Sequence, residues 1–425
     1  MSTTGERTHD IVLFGATGFV CKLTAGHLAR NAPDGARIAL AGRSLERLEK
    51  VRAGLDSKAA DWPLLVVDAA DEAQVAELAA STTVVATTVG PYAKYGMPLV
   101  AACAAAGTHY CDLTGEVLFV RDAIDAHHEG AAATGARIVN SCGFDSIPSD
   151  LGVWVTAQTV AADGEGTLGE TLLHVRTLRG GISGGTVDSM RQQAIVSSAD
   201  PAARRKAGDP YGLSPARDEE PKHRNKKPAP GNLLEKISRQ VPVNLDPVTG
   251  RWNAPFFMAS YNTRIVRRSN ALTNWSYGRE FRYDEVMDTG RGPGGALKAG
   301  ITTAVLGGVF TGMSFGPSRQ VLDRVLPKPG EGPSDQRMAG GKFVMQIETT
   351  TTTGARYRTT VGADEDPGYS GTAIMLGQSA LALAFDGDSL PDAAGVLTPA
   401  TGIGQPLVDR LRAHGFTFDC AKVIA

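Results

Sequence analysis

Residues 11–14 read Ile-Val-Leu-Phe, and the chain runs from them straight into Gly15-Ala16-Thr17-Gly18 and then a helix-forming stretch over 19–29. Four consecutive apolar residues leave no solvent face, so this segment belongs in a strand covered on both sides, as in a parallel sheet. The pattern then repeats. Strands at 38–41, 64–67, 84–89, 109–111 and 137–140 alternate with helices at 45–55, 72–80, 98–106 and 116–133. Strands and helices alternating at this spacing specify a doubly wound, Rossmann-type α/β domain with a parallel sheet over residues 1–150.

Beyond Asp150 the texture changes. Segments 170–177, 263–268, 342–353 and 356–361 alternate polar and apolar residues as half-exposed antiparallel strands do, which predicts a second, α+β domain over 151–369. Within it, residues 201–230 hold six prolines and eight Lys/Arg against four Asp/Glu, a composition that reads as a flexible, solvated loop. Residues 370–425 read as helices that return to pack on the core. No repeat of 20 to 50 residues is present, which excludes solenoids and propellers.

The glycine run between the first strand and helix places backbone N–H groups and the positive end of a helix where a pyrophosphate can sit. Gly15, Ala16, Thr17 and Gly18, with Phe19 opening the helix, are therefore the candidate cofactor cradle. Cys21 stands where the third glycine of such a fingerprint usually falls and is small enough to serve. Glycine is also abundant, 50 of 425 residues or about 12% against roughly 7% in average usage. The second strand ends in Gly42-Arg43-Ser44 where an NAD site would place a carboxylate for the ribose hydroxyl. Arg43 and Ser44 suit a 2′-phosphate instead and predict NADP(H). Asp68, ending the third strand, is placed to meet the adenine side or to cap the next helix.

The fourth strand ends in Thr87-Thr88-Val89-Gly90-Pro91-Tyr92, and ligands of open α/β sheets bind beyond strand carboxyl ends. Val89, Gly90 and Pro91 should face the nicotinamide. The loops Asp112-Leu113-Thr114-Gly115-Glu116 and Cys142-Gly143-Phe144-Asp145-Ser146 end the next two strands, so three loops converge on one crevice. Thr114, Glu116 and Asp145 are there as turn, cap or catalytic residues. No metal site is expected: His127 and His128 are adjacent and cannot share a helix face, and no Cys/His spacing of a zinc site occurs. Gly181-Ile-Ser183-Gly-Gly185 matches G-x-S-x-G, but it follows an alternating strand where a nucleophile elbow needs a buried parallel one.

A net charge of −2 excludes the strongly basic balance of a nucleic-acid binder. The five cysteines form no C-x-x-C pair and sit in apolar or small-residue stretches, as reduced thiols do. The first ten residues are polar, without a charged-then-apolar leader, and the expected location is the cytoplasm.

The runs Gly15-Ala-Thr-Gly-Phe19, Ala39-Leu-Ala-Gly-Arg43, Val89-Gly-Pro-Tyr-Ala-Lys-Tyr-Gly96, Gly107-Thr-His-Tyr-Cys-Asp-Leu-Thr-Gly-Glu116 and Cys142-Gly-Phe-Asp-Ser-Ile-Pro-Ser-Asp150 resemble the saccharopine dehydrogenase-like oxidoreductases. Within that group the chain is most similar to the actinobacterial trans-acting enoyl reductases. The resemblance continues through Gly180-Gly-Ile-Ser-Gly-Gly-Thr186, Asn262-Thr-Arg-Ile-Val-Arg-Arg-Ser-Asn270, Asp366-Pro-Gly-Tyr369 and Gly395-Val-Leu-Thr-Pro399, almost the whole chain. It implies NADP(H), a carrier-bound or free acyl thioester as substrate, and a polyketide synthase of lipid assembly as partner.

Under that reading hydride goes to the β-carbon of an α,β-unsaturated thioester, the enolate oxygen is held by hydrogen-bond donors, and a proton reaches the α-carbon. Tyr92, Tyr95, Ser146 and backbone donors around Gly143 are candidates for the oxygen, and Tyr92 or Asp145 for the proton. Two alternatives stand beside it. One is a saccharopine-type dehydrogenase acting on an amino acid or imine, with Arg264, Arg267 and Arg268 facing the zwitterion. The other is a non-catalytic membrane-surface protein on a Rossmann scaffold, suggested by the uncharged span 299–318. That span has nine apolar residues among 20, and with the segment up to 326 it reads as a face on the inner side of the plasma membrane, a homodimer interface, or a packed internal helix.

Overall fold

The computed structural model describes residues 7–181, 184–221, 243–246, 249–314, 317–318 and 332–424. Two seven-stranded sheets organise them. The first contains β1 (His9–Phe14), β2 (Ile38–Gly42), β3 (Leu64–Val66), β4 (Thr82–Thr87), β5 (His109–Cys111) and β6 (Arg137–Val139). A later strand, β13 (Gly395–Leu397), joins the same sheet, whose order is β13-β6-β5-β4-β1-β2-β3 with every pair parallel. This is the doubly wound Rossmann arrangement. Ile11, Val12 and Leu13 have no exposed surface. Each such side chain contributes about 1.5–3 kcal/mol by burial, and a charge at any of them would open the sheet centre.

The second sheet runs β14-β12-β11-β7-β10-β9-β8. Its strands are β7 (Leu168–Arg179), β8 (Asn244–Leu245), β9 (Arg251–Pro255), β10 (Arg282–Arg291), β11 (Lys342–Thr351), β12 (Arg356–Ala363) and β14 (Thr417–Lys422). It is mixed, because β7 and β10 pair in parallel while their other neighbours are antiparallel. The helix Ile147–Ala162 passes from the first sheet to lie on the second. Gly152 permits this contact, since a Cβ there would sit 2.6 Å from Ile347 Cδ1 and 2.9 Å from Val361 Cγ2.

Residues 370–424 belong to both halves. Helix Ser370–Phe385 packs on helix Phe19–Asn31 and on β1, β4 and β5, while β13 and β14 each extend a different sheet. Gln378 Nε2 lies 2.7 Å from His27 Nε2 and 2.8 Å from His414 Nε2, fastening this helix to both neighbours. The segment is thus more than a set of returning helices.

Two expectations are corrected. Residues 263–268 are no strand; they lie within helix Ala259–Leu272. Arg264, Arg267 and Arg268, polar in the sequence pattern, are buried, and their guanidinium groups donate to main-chain carbonyls of Ala207, Asp209, Pro210, Leu213, Tyr283 and Val396. Those carbonyls explain the second correction. Residues 201–221 are ordered over these arginines, with helix Pro201–Gly208 and a buried Leu213, so only 222–230 of the expected loop remains outside the described residues. The apolar span likewise begins earlier than expected, in helix Gly292–Ser314, and residues 319–326 lie outside the described residues, as does Ser183.

Candidate active site and cofactor cradle

The order β6-β5-β4-β1 sets four strand carboxyl ends side by side, so the loops that follow them share one edge of the sheet. After β1 the chain turns at Gly15, whose φ is +84° and where a Cβ would lie 2.7 Å from Val89 Cγ2. Only glycine permits both the turn and the approach. Gly18 caps helix Phe19–Asn31 without any side-chain cap, so the first-turn N–H groups remain open to a phosphate. Behind them Cys21 is fully buried, its Sγ 3.8 Å from the Phe14 carbonyl, and burial pushes the thiol up to about 12. A mild thiol reagent is therefore expected to spare Cys21 in the folded protein with or without nucleotide; rapid, nucleotide-protected labelling in peptide mass spectra would reveal an open site instead.

Arg43 follows β2 with its side chain exposed and no hydrogen bond or ion pair to any described residue. Ser44 accepts from Arg47 N at 3.4 Å and caps the next helix. Asp68 is exposed after β3 and is engaged locally, accepting from Ala70 N at 3.0 Å. An open helix start, a glycine turn that a side chain would block and an unpartnered guanidinium together fit a nicotinamide dinucleotide.

Beyond this cradle lies a cavity of ≈ 170 Å³. Its walls come from Phe19 and Val20, Gly90 to Tyr92, Leu113, Phe144 and Asp145, and from the second half of the chain Thr186, Met190, Met258 and Tyr369. The surface is largely apolar. Asp145 is half-buried, lines the cavity and is hydrogen-bonded by Thr186. Desolvation pushes its pKa up to about 6, and the Thr186 bond pulls the other way.

The other two predicted catalytic side chains are not available in this way. The Tyr92 hydroxyl accepts from Leu113 N at 3.1 Å and donates to the Thr87 carbonyl at 3.3 Å, and burial together with Asp112 raises its pKa well above the ordinary value. It fastens two loops. Ser146 is fully buried outside the cavity wall, donating to Asn262 Oδ1 at 2.9 Å, while Asn262 donates to Ser149 and Glu285. It clamps the first half of the chain to helix Ala259–Leu272. Asp150, at the end of the same motif, accepts from Ser269 Oγ and from Ala400 N at 2.8 Å.

Glu116 and Thr114 also have structural tasks. The Glu116 carboxylate accepts from Tyr92 N at 2.9 Å, Ala93 N at 2.8 Å and Ser189 Oγ at 2.7 Å, tying the loop after β4 to helix Gly184–Ala199. Thr114 Oγ1 accepts from Glu116 N at 3.1 Å. Among the described residues no group of His, Cys, Asp and Glu is arranged to hold a metal ion.

Sequence reasoning assigned no role to Tyr369, whose ring meets Phe19 edge-on at 5.2 Å on the cavity wall. Asp366 sets it there by accepting from Gly368 N and Tyr369 N, both at 3.0 Å. The signal was present in Asp366-Pro-Gly-Tyr369, a turn with an acceptor at its start, but nothing local shows that the turn reaches a loop more than 200 residues away.

The family profile described as Saccharopine dehydrogenase NADP binding domain matches residues 11–139. A trans-acting enoyl reductase of Mycobacterium tuberculosis is 48% identical over 422 residues, covering 98% of this chain and 99% of its own. The trans-acting enoyl reductase of Mycobacterium leprae shows the same identity and coverage. The chain belongs to this family. Among solved structures, the saccharopine dehydrogenase (L-Glu forming) of Saccharomyces cerevisiae is similar with a TM-score of 0.53 at 14% identity, over 98% of this chain and all of its own. At that identity the likeness concerns the fold, and it agrees with the two sheets described above. The family profile accordingly supports a nicotinamide cofactor for this chain.

Proposed function

We propose that the protein is an NADPH-dependent enoyl reductase, working in trans on an α,β-unsaturated acyl thioester that a polyketide synthase carries. The observation that bears most on this reading is Asp145: a carboxyl raised toward neutrality in an apolar cavity beside the nicotinamide loop. When bound, the nicotinamide supplies the hydride that forms the new C–H bond at the β-carbon. Asp145, protonated at the start, gives its proton to the α-carbon and regains one from solvent, so each turnover adds one hydride and one proton across the double bond. Phe144 N is already bonded to Thr372 Oγ1 at 3.1 Å, which leaves the Gly143 N–H and the Tyr369 phenol as donors for the enolate oxygen. Leu113, Met190 and Met258 exclude water from the acyl chain.

The amino-acid alternative loses its support here. A zwitterionic substrate needs fixed charge, and Arg264, Arg267 and Arg268 are spent on buried carbonyls away from the cavity. The test is turnover: NADPH should be consumed with crotonyl and longer 2-enoyl thioesters, giving saturated thioester by mass spectrometry, and not with imines or amino acids. Consumption with an imine and none with any enoyl thioester would reverse the assignment.

A further inference from the structure

Helix Gly292–Ser314 contains 23 residues and one charged side chain, Lys298. One of its faces packs on β9, β10 and helix Gly184–Ala199, burying Ala299 and Met313. The opposite face carries Leu297, Ile301 and Val305, which are 67%, 55% and 58% exposed. They follow one another at intervals of four, and Ala304 and Gly308 lie beside them on the same side of the helix. An apolar row of this kind on a folded surface normally has an occupant.

The charges around it indicate which. From Thr289 to Leu322 the sequence has no Asp or Glu, while Arg291 and Lys298, both exposed, are basic. A surface that is apolar at its centre with these cations beside it complements an anionic bilayer. The helix is apolar over a length that could cross a membrane, yet its packed face commits it to the protein. We infer that it lies on an anionic lipid surface with Leu297, Ile301 and Val305 inserted among the acyl chains. Helix Gly184–Ala199, which touches this helix, also walls the cavity. Docking would therefore set the cavity close to the membrane.

The experiment is flotation of the full chain with vesicles of phosphatidylglycerol and phosphatidylcholine, and with phosphatidylcholine alone, alongside light scattering for oligomeric state. The wild type should float with the mixed vesicles and less with the neutral ones, and added salt should release it. L297E/I301E/V305E should lower partitioning roughly tenfold or more with an unchanged melting temperature, because all three side chains are exposed. K298E should weaken binding to the anionic vesicles alone. Failure of the wild type to float with either vesicle overturns the proposal. So does a wild-type dimer that the triple variant converts to monomer without any lipid binding, since the face would then belong to a second copy.

Discussion

Asp145→Asn is expected to lower kcat for an enoyl thioester by about 10²–10⁴-fold, the range of a lost general acid, while leaving nucleotide affinity nearly unchanged. Asparagine has the shape of aspartate and can still pair with Thr186, so the loop should hold. The pH profile carries the argument further. A proton donor must start protonated, and burial places Asp145 at about 6, so kcat should fall as pH rises above that value. Closing the cavity over an apolar chain desolvates the carboxyl more and moves this limb upward. In the Asn variant the limb should vanish. Tyr92→Phe is the contrast: its hydroxyl serves Leu113 N and the Thr87 carbonyl, so the loss should appear in thermal stability, at about 1 kcal/mol, with the pH limb intact. If Tyr92→Phe abolished the limb and Asp145→Asn kept it, the assignment of the acid would pass to the phenol.

These two residues also show how far a sequence can be read. Both sit in strand-end loops whose convergence follows from β-α-β alternation, and that alternation was visible because strands buried on both faces, such as 11–14, are purely apolar. What the alternation lacks is direction. Whether Tyr92, Asp145 or Ser146 faces the cavity depends on which hydrogen-bonding groups lie within reach, and those are the main chain of Thr87 and Leu113 and the side chain of Asn262. The second half of the chain was harder. Over the six residues 263–268 a strand period and a helix period cannot be told apart, and three arginines read as polar positions of a half-exposed strand although distant carbonyls bury them. The same carbonyls order residues 201–221, whose prolines and charges resembled a loop. Strands β13 and β14 left almost no trace, since three and six residues gain their stability from sheets formed elsewhere.

The cofactor preference should show in Arg43→Ala. A guanidinium that pairs with the 2′-phosphate contributes the energy of a charge-assisted hydrogen bond, about 1.5–3 kcal/mol, and its removal should raise the Kd for NADPH roughly tenfold to a hundredfold. NADH has no such phosphate, and its Kd should stay nearly constant. The measurement is clean because Arg43 is exposed and bonds to no described residue, so the substitution disturbs nothing that supports the fold. Exposure also means screening: the NADPH advantage of the wild type should shrink as salt rises, and the alanine variant should have little left to lose. Arg43→Lys should keep part of the effect, since a point charge attracts the phosphate but cannot grip it through two parallel N–H bonds. Equal losses for both nucleotides would assign Arg43 to the common part of the dinucleotide, and the selection of NADPH would have to come from elsewhere around the adenosine end.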